Sequence, residues 1–213
     1  MSLPKKVHQI WIGHKKRPDI WMDSVRNFCS EKGYEYILWD DHKVSEMNMV
    51  NREWYNKEQT YNGKSDILRY EILYQNGGIY IDADSFIVKF DQFDKLISEF
   101  NTDAGFGFEV DNKLACGGVS LAIKDSKFML KCIEEIPKRD FSLLAWQSIG
   151  PRLITELLIR NKDIPITLYK STVFYPIRWH GIQDINMHEK MELPPESVMF
   201  QYGYSTNNLE SKI

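Results

Sequence analysis

The stretch from Ser65 to Asp84 constrains this chain more than any other, because it specifies a helix, a stop, a strand and two acidic side chains in close succession. A helix over residues 64–76 places Asp66, Arg69, Tyr70 and Leu73 three and four apart on one side. Gly77-Gly78 ends it, since glycine takes the backbone conformation that closes a helix without a Cβ penalty. Gly78-Ile79-Tyr80-Ile81 then reads as a short buried strand delivering Asp82 and Asp84 at its C-terminal end. In an extended chain residues i and i+2 share a face, so both carboxylates are expected to point together, with Ala83 turned back. Ser85-Phe86-Ile87-Val88 is expected to continue the strand. Two carboxylates between apolar runs repel each other and lose hydration unless a cation or strong donors compensate. A hard oxygen-ligand site of this kind suits Mg²⁺ or Mn²⁺, with phosphate oxygens and water completing the shell.

The rest of the chain supplies a sheet for that strand to join. Val7 to Ile12, closed by Gly13, reads as a first strand; Pro18 opens a helix with the apolar stripe Ile20, Trp21, Val25, Phe28 and Cys29; Tyr34 to Trp39 reads as a second strand. Strand, helix, strand in that order predicts an α/β fold. Residues 43–63 are polar, with Met47, Met49, Trp54 and Tyr55 spaced for short helices lying loosely over the sheet as a lid. Further on, helices are expected at 91–99, 126–135 and 146–160, the last broken early by Gly150-Pro151. Strands are expected at 104–110, 117–123, 166–169 and 198–201, before a polar, aromatic tail. With 213 residues, 43% of them hydrophobic, one substantial core is affordable, and residues 1–213 are expected to form a single domain, whether or not others flank it.

Several function classes lose support. A formal net charge of −3 gives no electrostatic reason to expect nucleic acid as a partner, and the longest basic run, His14-Lys15-Lys16-Arg17, reads as a solvated loop. No apolar run approaches the length of a transmembrane helix, and Met1 to Lys6 lacks the apolar core of a secretion signal. Cys29, Cys116 and Cys132 show no metal-ligand spacing and cannot all pair with one another, which favours a reducing compartment; the expected location is cytoplasmic.

Around the acidic pair, Arg69 is placed to contact a phosphate or to brace a carboxylate, and Asp66 to accept hydrogen bonds from a sugar hydroxyl, although an i,i+3 Asp–Arg pair is more often a surface ion pair. Trp11, at a strand end, is either core or a stacking plate for a base. His8 reads as a hydrogen-bonded strand histidine.

The combination of Pro4 to Gly13, Trp39-Asp40, Ser65 to Tyr70 and Gly77 to Asp84 resembles the Asp-x-Asp sugar transferases of glycosyltransferase family 32, the yeast initiating mannosyltransferase group. It is also similar to the catalytic core of the large clostridial glucosylating toxins. The resemblance covers roughly residues 4–155, including Gly150-Pro151 and Thr155. It implies a GT-A-type (Rossmann-like) nucleotide-sugar-binding sheet flanked by helices, and transfer of a hexose or deoxyhexose from a nucleoside diphosphate, with retention, to a hydroxyl of a glycan or glycoprotein. By the same resemblance Ile10, Trp11, Ser65, Asp66, Arg69, Asp82 and Asp84 hold the donor, a UDP-sugar in preference to a GDP-sugar. Asp66, Arg69, Asp82 and Asp84 are the implied catalytic set, and Asp82 and Asp84 the implied ligands of Mn²⁺ or Mg²⁺. Family members usually add a further metal ligand and a Ser-Trp pair near the C-terminus. This chain has no such pair and offers Gln201, Tyr202, Tyr204, Ser205 and Asn207 instead, of which Ser205 and Asn207 are taken as the added metal ligands. Relatives in large DNA viruses decorate capsid proteins, a setting in which the location would be the host cytoplasm. Two other readings fit the triplet: a phosphohydrolase similar to the haloacid dehalogenases, and a catalytically silent nucleotide-sugar-binding module.

Overall fold

The computed structural model describes residues 2–177 and 182–213. The first unit is strand β1 (Lys6–Ile10), helix α1 (Asp19–Lys32) and strand β2 (Glu35–Trp39). The crossover through α1 brings β2 back parallel to β1, with Lys6 opposite Glu35 and Ile10 opposite Trp39. Helices α2 (Asp41–Glu46), α3 (Arg52–Lys57) and α4 (Tyr61–Asn76) then lead to β3 (Gly78–Ile81), parallel to β1 on its other side. The C-terminal ends of β1 and β3 therefore lie side by side, the position where open α/β sheets bind their ligands.

Strand β4 (Ser85–Ile87), helix α5 (Phe90–Ser98), strands β5 (Ala104–Val110) and β6 (Leu114–Ala122), helices α6 (Lys127–Glu135), α7 (Ala145–Ser148) and α8 (Pro151–Arg160), and strands β7 (Ile166–Tyr169) and β8 (Met199–Gln201) complete the described frame. The main sheet runs β2-β1-β3-β6-β5-β7, with β6 antiparallel to both its neighbours and the remaining strands parallel to one another. Alternation along β3 assigns the two faces. Ile79 and Ile81 join Val25, Phe28 and Phe93 in a core under α1 and α5, whereas Tyr80 joins Leu68, Phe128 and Leu153 in a core under α4, α6 and α8. Helix α4 is buried almost all round, from Asp66 continuously to Leu73. Its start is capped by Thr60, which accepts from the Gly63 N–H, and Gly77 ends it with a φ of +64°, where an added Cβ would lie 2.6 Å from the Lys124 backbone nitrogen.

Two expectations are corrected here. The run after Asp84 does not extend β3: the ladder breaks at Asp82–Asp84, and β4 forms a separate two-stranded antiparallel sheet with β8. Nor is the segment before α4 a loose lid. Val44, Met47, Met49 and Tyr55 are buried in the main core, and the carboxylate of buried Glu71 accepts from the backbone N–H of Asn51 (2.8 Å), fixing the start of α3. The break of the 146–160 helix at Gly150-Pro151 is observed, with Pro151 as the first residue of α8.

His8 is fully buried in β1. Trp39 Nε1 donates to its Nδ1 (3.2 Å), so the proton sits on Nε2, which donates to the Gly77 carbonyl (2.9 Å). Burial lowers its pKa from 6.5 to about 4. A histidine depressed in this way contributes stability that is present above pH 6.5 and lost as the pH falls toward 4. Between pH 7 and pH 5 the loss from this one group is about 2 kcal/mol, at 1.36 kcal/mol per unit. Urea unfolding of wild type and His8→Gln at both pH values isolates it: the variant should lack that increment, and parallel pH profiles would contradict a buried neutral His8.

Candidate active site

Helix α4 and strand β3 meet at one guanidinium. Arg69 Nη2 lies 3.1 Å from Asp66 Oδ1 and 3.3 Å from Asp82 Oδ1, its Nε donates to the Ser65 carbonyl, and the group lies 4.7 Å over the centroid of the Tyr80 ring. Tyr80 and Asp82 share a face of the chain, and the Tyr80 hydroxyl donates to Asp82 Oδ1 at 2.7 Å. The i,i+3 pair that on an exposed helix is worth only tenths of a kcal/mol is here almost wholly out of solvent. Burial works against the Arg69 charge, but Tyr80, Asp82 and Asp66 outweigh it and raise the pKa above the ordinary value. Burial also pushes Asp66 up to about 7, against the pull of Arg69 and with Asp82 and Glu58 adding repulsion. Near neutral pH the Asp66 carboxyl is thus poised to donate or accept a hydrogen bond.

Asp84 reaches the same place by a turn. The Ser85 N–H closes back on the Asp82 carbonyl (3.1 Å), so the two acidic side chains converge by chain reversal, correcting the extended i,i+2 geometry expected from the sequence. Gln201 Nε2 lies 3.2 Å from Asp82 Oδ2 and 3.5 Å from Asp84 Oδ1, and the Tyr204 backbone N–H donates to Asp84 Oδ2 at 2.8 Å. Burial raises the Asp84 pKa to about 6, repulsion from Asp82 adds to it, and the donors from Tyr204 and Gln201 oppose it.

These groups face a cavity of about 440 Å³. Ile10, Trp11, Ser65, Asp66, Arg69, Asp82, Asp84 and Ser205 all line it. Trp11 sits at the end of β1 with its Nε1–H on the Lys15 carbonyl (3.1 Å) and its ring edge-on to Tyr204, 5.5 Å between centroids. Asn207 is outside the lining: it is buried within the tail, its amide donating to the Tyr202 carbonyl at 2.8 Å. Among the described residues no group of three or more His, Cys, Asp or Glu could hold a metal ion, and Asp82 and Asp84, bridged by Gln201, are the pair that could hold a hard cation. That donor set fits an ion whose remaining ligands are phosphate and water, and Gln201 could present its amide oxygen to the same point by rotating about its last bond.

The sequence reading offers Gln201 only as one of several tail candidates and does not assign Tyr80 or three glycines to the site. A Cβ on Gly117 would lie 2.7 Å from Arg69 Nη1, on Gly118 2.7 Å from Asp82 Oδ2, and on Gly150 2.6 Å from Asp66 Oδ2. Each glycine makes room for one charged member of the constellation. Paired glycines inside the β6 pattern were the available signal, since glycine in a strand interior marks close approach of another group.

Residues 18–102 match the family profile described as a glycosyltransferase sugar-binding region containing the DXD motif. That segment is therefore similar to DXD-type sugar-binding regions, over less than half of the chain. Inositol phosphoceramide mannosyltransferase 1 of Schizosaccharomyces pombe is 34% identical over 91 residues, 39% of this chain and 28% of the relative. An uncharacterised glycosyltransferase of Acanthamoeba polyphaga mimivirus is 33% identical over 89 residues, 38% of this chain and 36% of the relative. The matched segment thus spans only about a third of these relatives or less. Among solved structures, the PaToxG glycosyltransferase superposes with a TM-score of 0.58 at 18% identity, covering 76% of this chain and 70% of that one. A glycosyltransferase involved in glycosylating the major capsid of PBCV-1 gives 0.53 at 11% identity, covering 97% and 99%. The α/β fold is of the GT-A type, as in these neighbours.

The glycine at 118 gives a test of the site's construction. The first atom met by an added Cβ is a carboxylate oxygen on a rotatable side chain, so Asp82 yields rather than the fold. Gly118→Ala should melt within about 5 °C of wild type but show less of any rise in melting temperature on adding Mn²⁺ than wild type does. An undiminished Mn²⁺ response would show that Asp82 needs no such clearance.

Proposed function

We propose that this chain is a metal-dependent retaining glycosyltransferase domain spanning residues 1–213, moving a hexose or deoxyhexose from a UDP-sugar to a hydroxyl of a glycan or glycoprotein. The observation that carries the reading is the convergence of Asp82, Asp84 and the Asp66–Arg69 pair on one cavity at the C-terminal ends of β1 and β3. The acidic pair suits a divalent cation bridging to a diphosphate, and Mn²⁺ or Mg²⁺ fits its oxygen donors. When bound, that cation supplies Lewis-acid stabilisation of charge on the departing phosphate.

The protein's own groups do the positioning. Arg69 holds Asp66 and Asp82 in fixed orientation, and Asp66, with its raised pKa, is suited to hydrogen-bond a sugar hydroxyl in either sense. Trp11 offers its ring to the base. For retention we favour front-face attack, in which the leaving phosphate assists deprotonation of the acceptor and electrostatics carry the catalysis.

Uracil is preferred over guanine because a UDP-bound glycosyltransferase domain from the YGT toxin shares the fold, with a TM-score of 0.53 at 10% identity. A protein-linked acceptor is in keeping with the capsid-glycosylating enzyme named above. No helix among the described residues is long and apolar enough to cross a membrane, and all three cysteines are unpaired. The unpaired cysteines support a reducing, cytoplasmic location, in a host cell if the source is viral.

Asp84→Asn should reduce turnover of the preferred UDP-sugar by about 10²-fold or more, the scale for loss of one electrostatic stabiliser; a folded variant with near-normal turnover would refute the assigned role. The raised pKa of Asp84 also has a sign. Without a cation, the stability gained by holding the proton is fully present below the ordinary value of 3.8 and is lost as the pH rises through about 6. Cation binding runs the other way, since it needs the ionised carboxylate. The Mn²⁺ dissociation constant measured calorimetrically should rise up to about tenfold for each pH unit below 6, and a flat profile between pH 5 and pH 7 would argue against Asp84 as a ligand.

A further inference from the structure

The basic run after β1 is not used by the chemistry above, and its members have different fates. Lys16 is taken up by the tail, its Nζ on the Ile213 carbonyl and its N–H on Glu210. Arg17 pairs with Asp19 at 2.8 Å, and the His14 ring packs against Tyr61. Lys15 alone of the run lines the cavity. It is half-buried, and among the described residues no carboxylate lies within ion-pair distance of its ammonium.

The backbone that presents Lys15 is held on both sides. Its own carbonyl accepts from Trp11 Nε1 (3.1 Å), and the next carbonyl, of Lys16, accepts from the Tyr204 hydroxyl (2.8 Å). Tyr204 in turn donates its backbone N–H to Asp84. Lys15 is therefore tied through Trp11 and Tyr204 to the acidic pair. Charge sharpens the point. Among the described residues the cavity wall carries Asp66, Asp82 and Asp84 against Arg69 and Lys15, and Arg69 is already engaged by Asp66 and Asp82. Among the described residues, Lys15 is the lining cation left for an anionic ligand.

We propose that Lys15 contacts the diphosphate of the nucleotide donor, acting as the point charge that distinguishes a nucleoside diphosphate from the uncharged nucleoside. This rests on the nucleotide-sugar reading of the site. A lysine ammonium suits the task because it offers three donors on a flexible stem and needs no planar partner. A lysine merely solvated on a loop would be indifferent to what occupies the cavity.

Calorimetric titration of the full chain with UDP and with uridine, both with Mn²⁺ present, tests it in wild type, Lys15→Met and Lys15→Arg. Lys15→Met keeps the apolar stem and removes the charge. It should weaken UDP by about 10-fold or more, the scale of a lost charge-assisted hydrogen bond, leave uridine within about twofold, and flatten the salt dependence of UDP binding. Lys15→Arg should recover most of the loss. Equal affinity of wild type and Lys15→Met for UDP, or an equal loss for UDP and uridine, overturns the role of Lys15 while leaving the donor site standing. Failure of wild type to bind UDP, and equally GDP titrated in the same way, overturns both.

Discussion

Much of the site depends on one buried guanidinium shared by two carboxylates. Arg69 joins α4 to β3 across thirteen residues of sequence, and without it Asp66 and Asp82 would be left facing each other in a nearly dry wall. Breaking a buried pair of this kind by removing one partner typically costs about 3–5 kcal/mol, because the surviving charge has no compensation. Arg69 is also what makes the packing around it specific. Gly117, Gly118 and Gly150 come from two different parts of the chain, yet each stops short of one member of the Arg69 set by the width of a methyl group. The β6 glycines and the α7–α8 junction are thus shaped by the charges they enclose.

The same constellation is electrostatically costly in the free protein. Asp66 and Asp84 both hold protons well above the ordinary carboxylate range, mainly because they are buried. Their contribution to stability declines as the pH rises through their pKa values, whereas that of His8, on the neighbouring strand, declines as the pH falls. The two tendencies oppose each other over the same mildly acidic window. Preorganised sites are commonly built this way: groups that would be better off apart are held together by a surrounding fold, and the ligand supplies what is missing.

Much of this was legible in the sequence, and the exceptions have definite physical causes. Helix α4, the glycine stop and β3 are encoded locally by periodicity and backbone conformation, and so is the meeting of Asp66, Arg69 and Asp82. Strand β4 was misread because Phe86 and Ile87 are as apolar as Ile79 and Ile81; what separates the two runs is a turn and a partner strand far along the chain. The segment carrying Met47, Met49 and Tyr55 looked loose because its apolar residues are sparse. Its anchor is the long-range contact between Asn51 and Glu71, which leaves no pattern in either segment. Lys15 was hidden by its neighbours, since in a run of four basic residues nothing local distinguishes the one that faces inward.

The tail shows a different limit. The family profile matches only residues 18–102 and does not reach the tail. Yet the tail still closes on Asp84, through the backbone N–H of Tyr204 and the amide of Gln201. A backbone donor imposes no residue identity, so this contact can persist while the sequence around it changes. What must be kept is the path of the chain. That is fixed by rings: Tyr202 stacks on Trp21 at 4.3 Å, and Tyr204 sits edge-on to both Trp11 and Trp21. Trp21 lies on α1 and Trp11 just beyond β1, so the first fold unit of the chain aims the last contact made to its acidic pair. Side-chain identity therefore says little about the tail, whereas the aromatic contacts hold its backbone against Asp84.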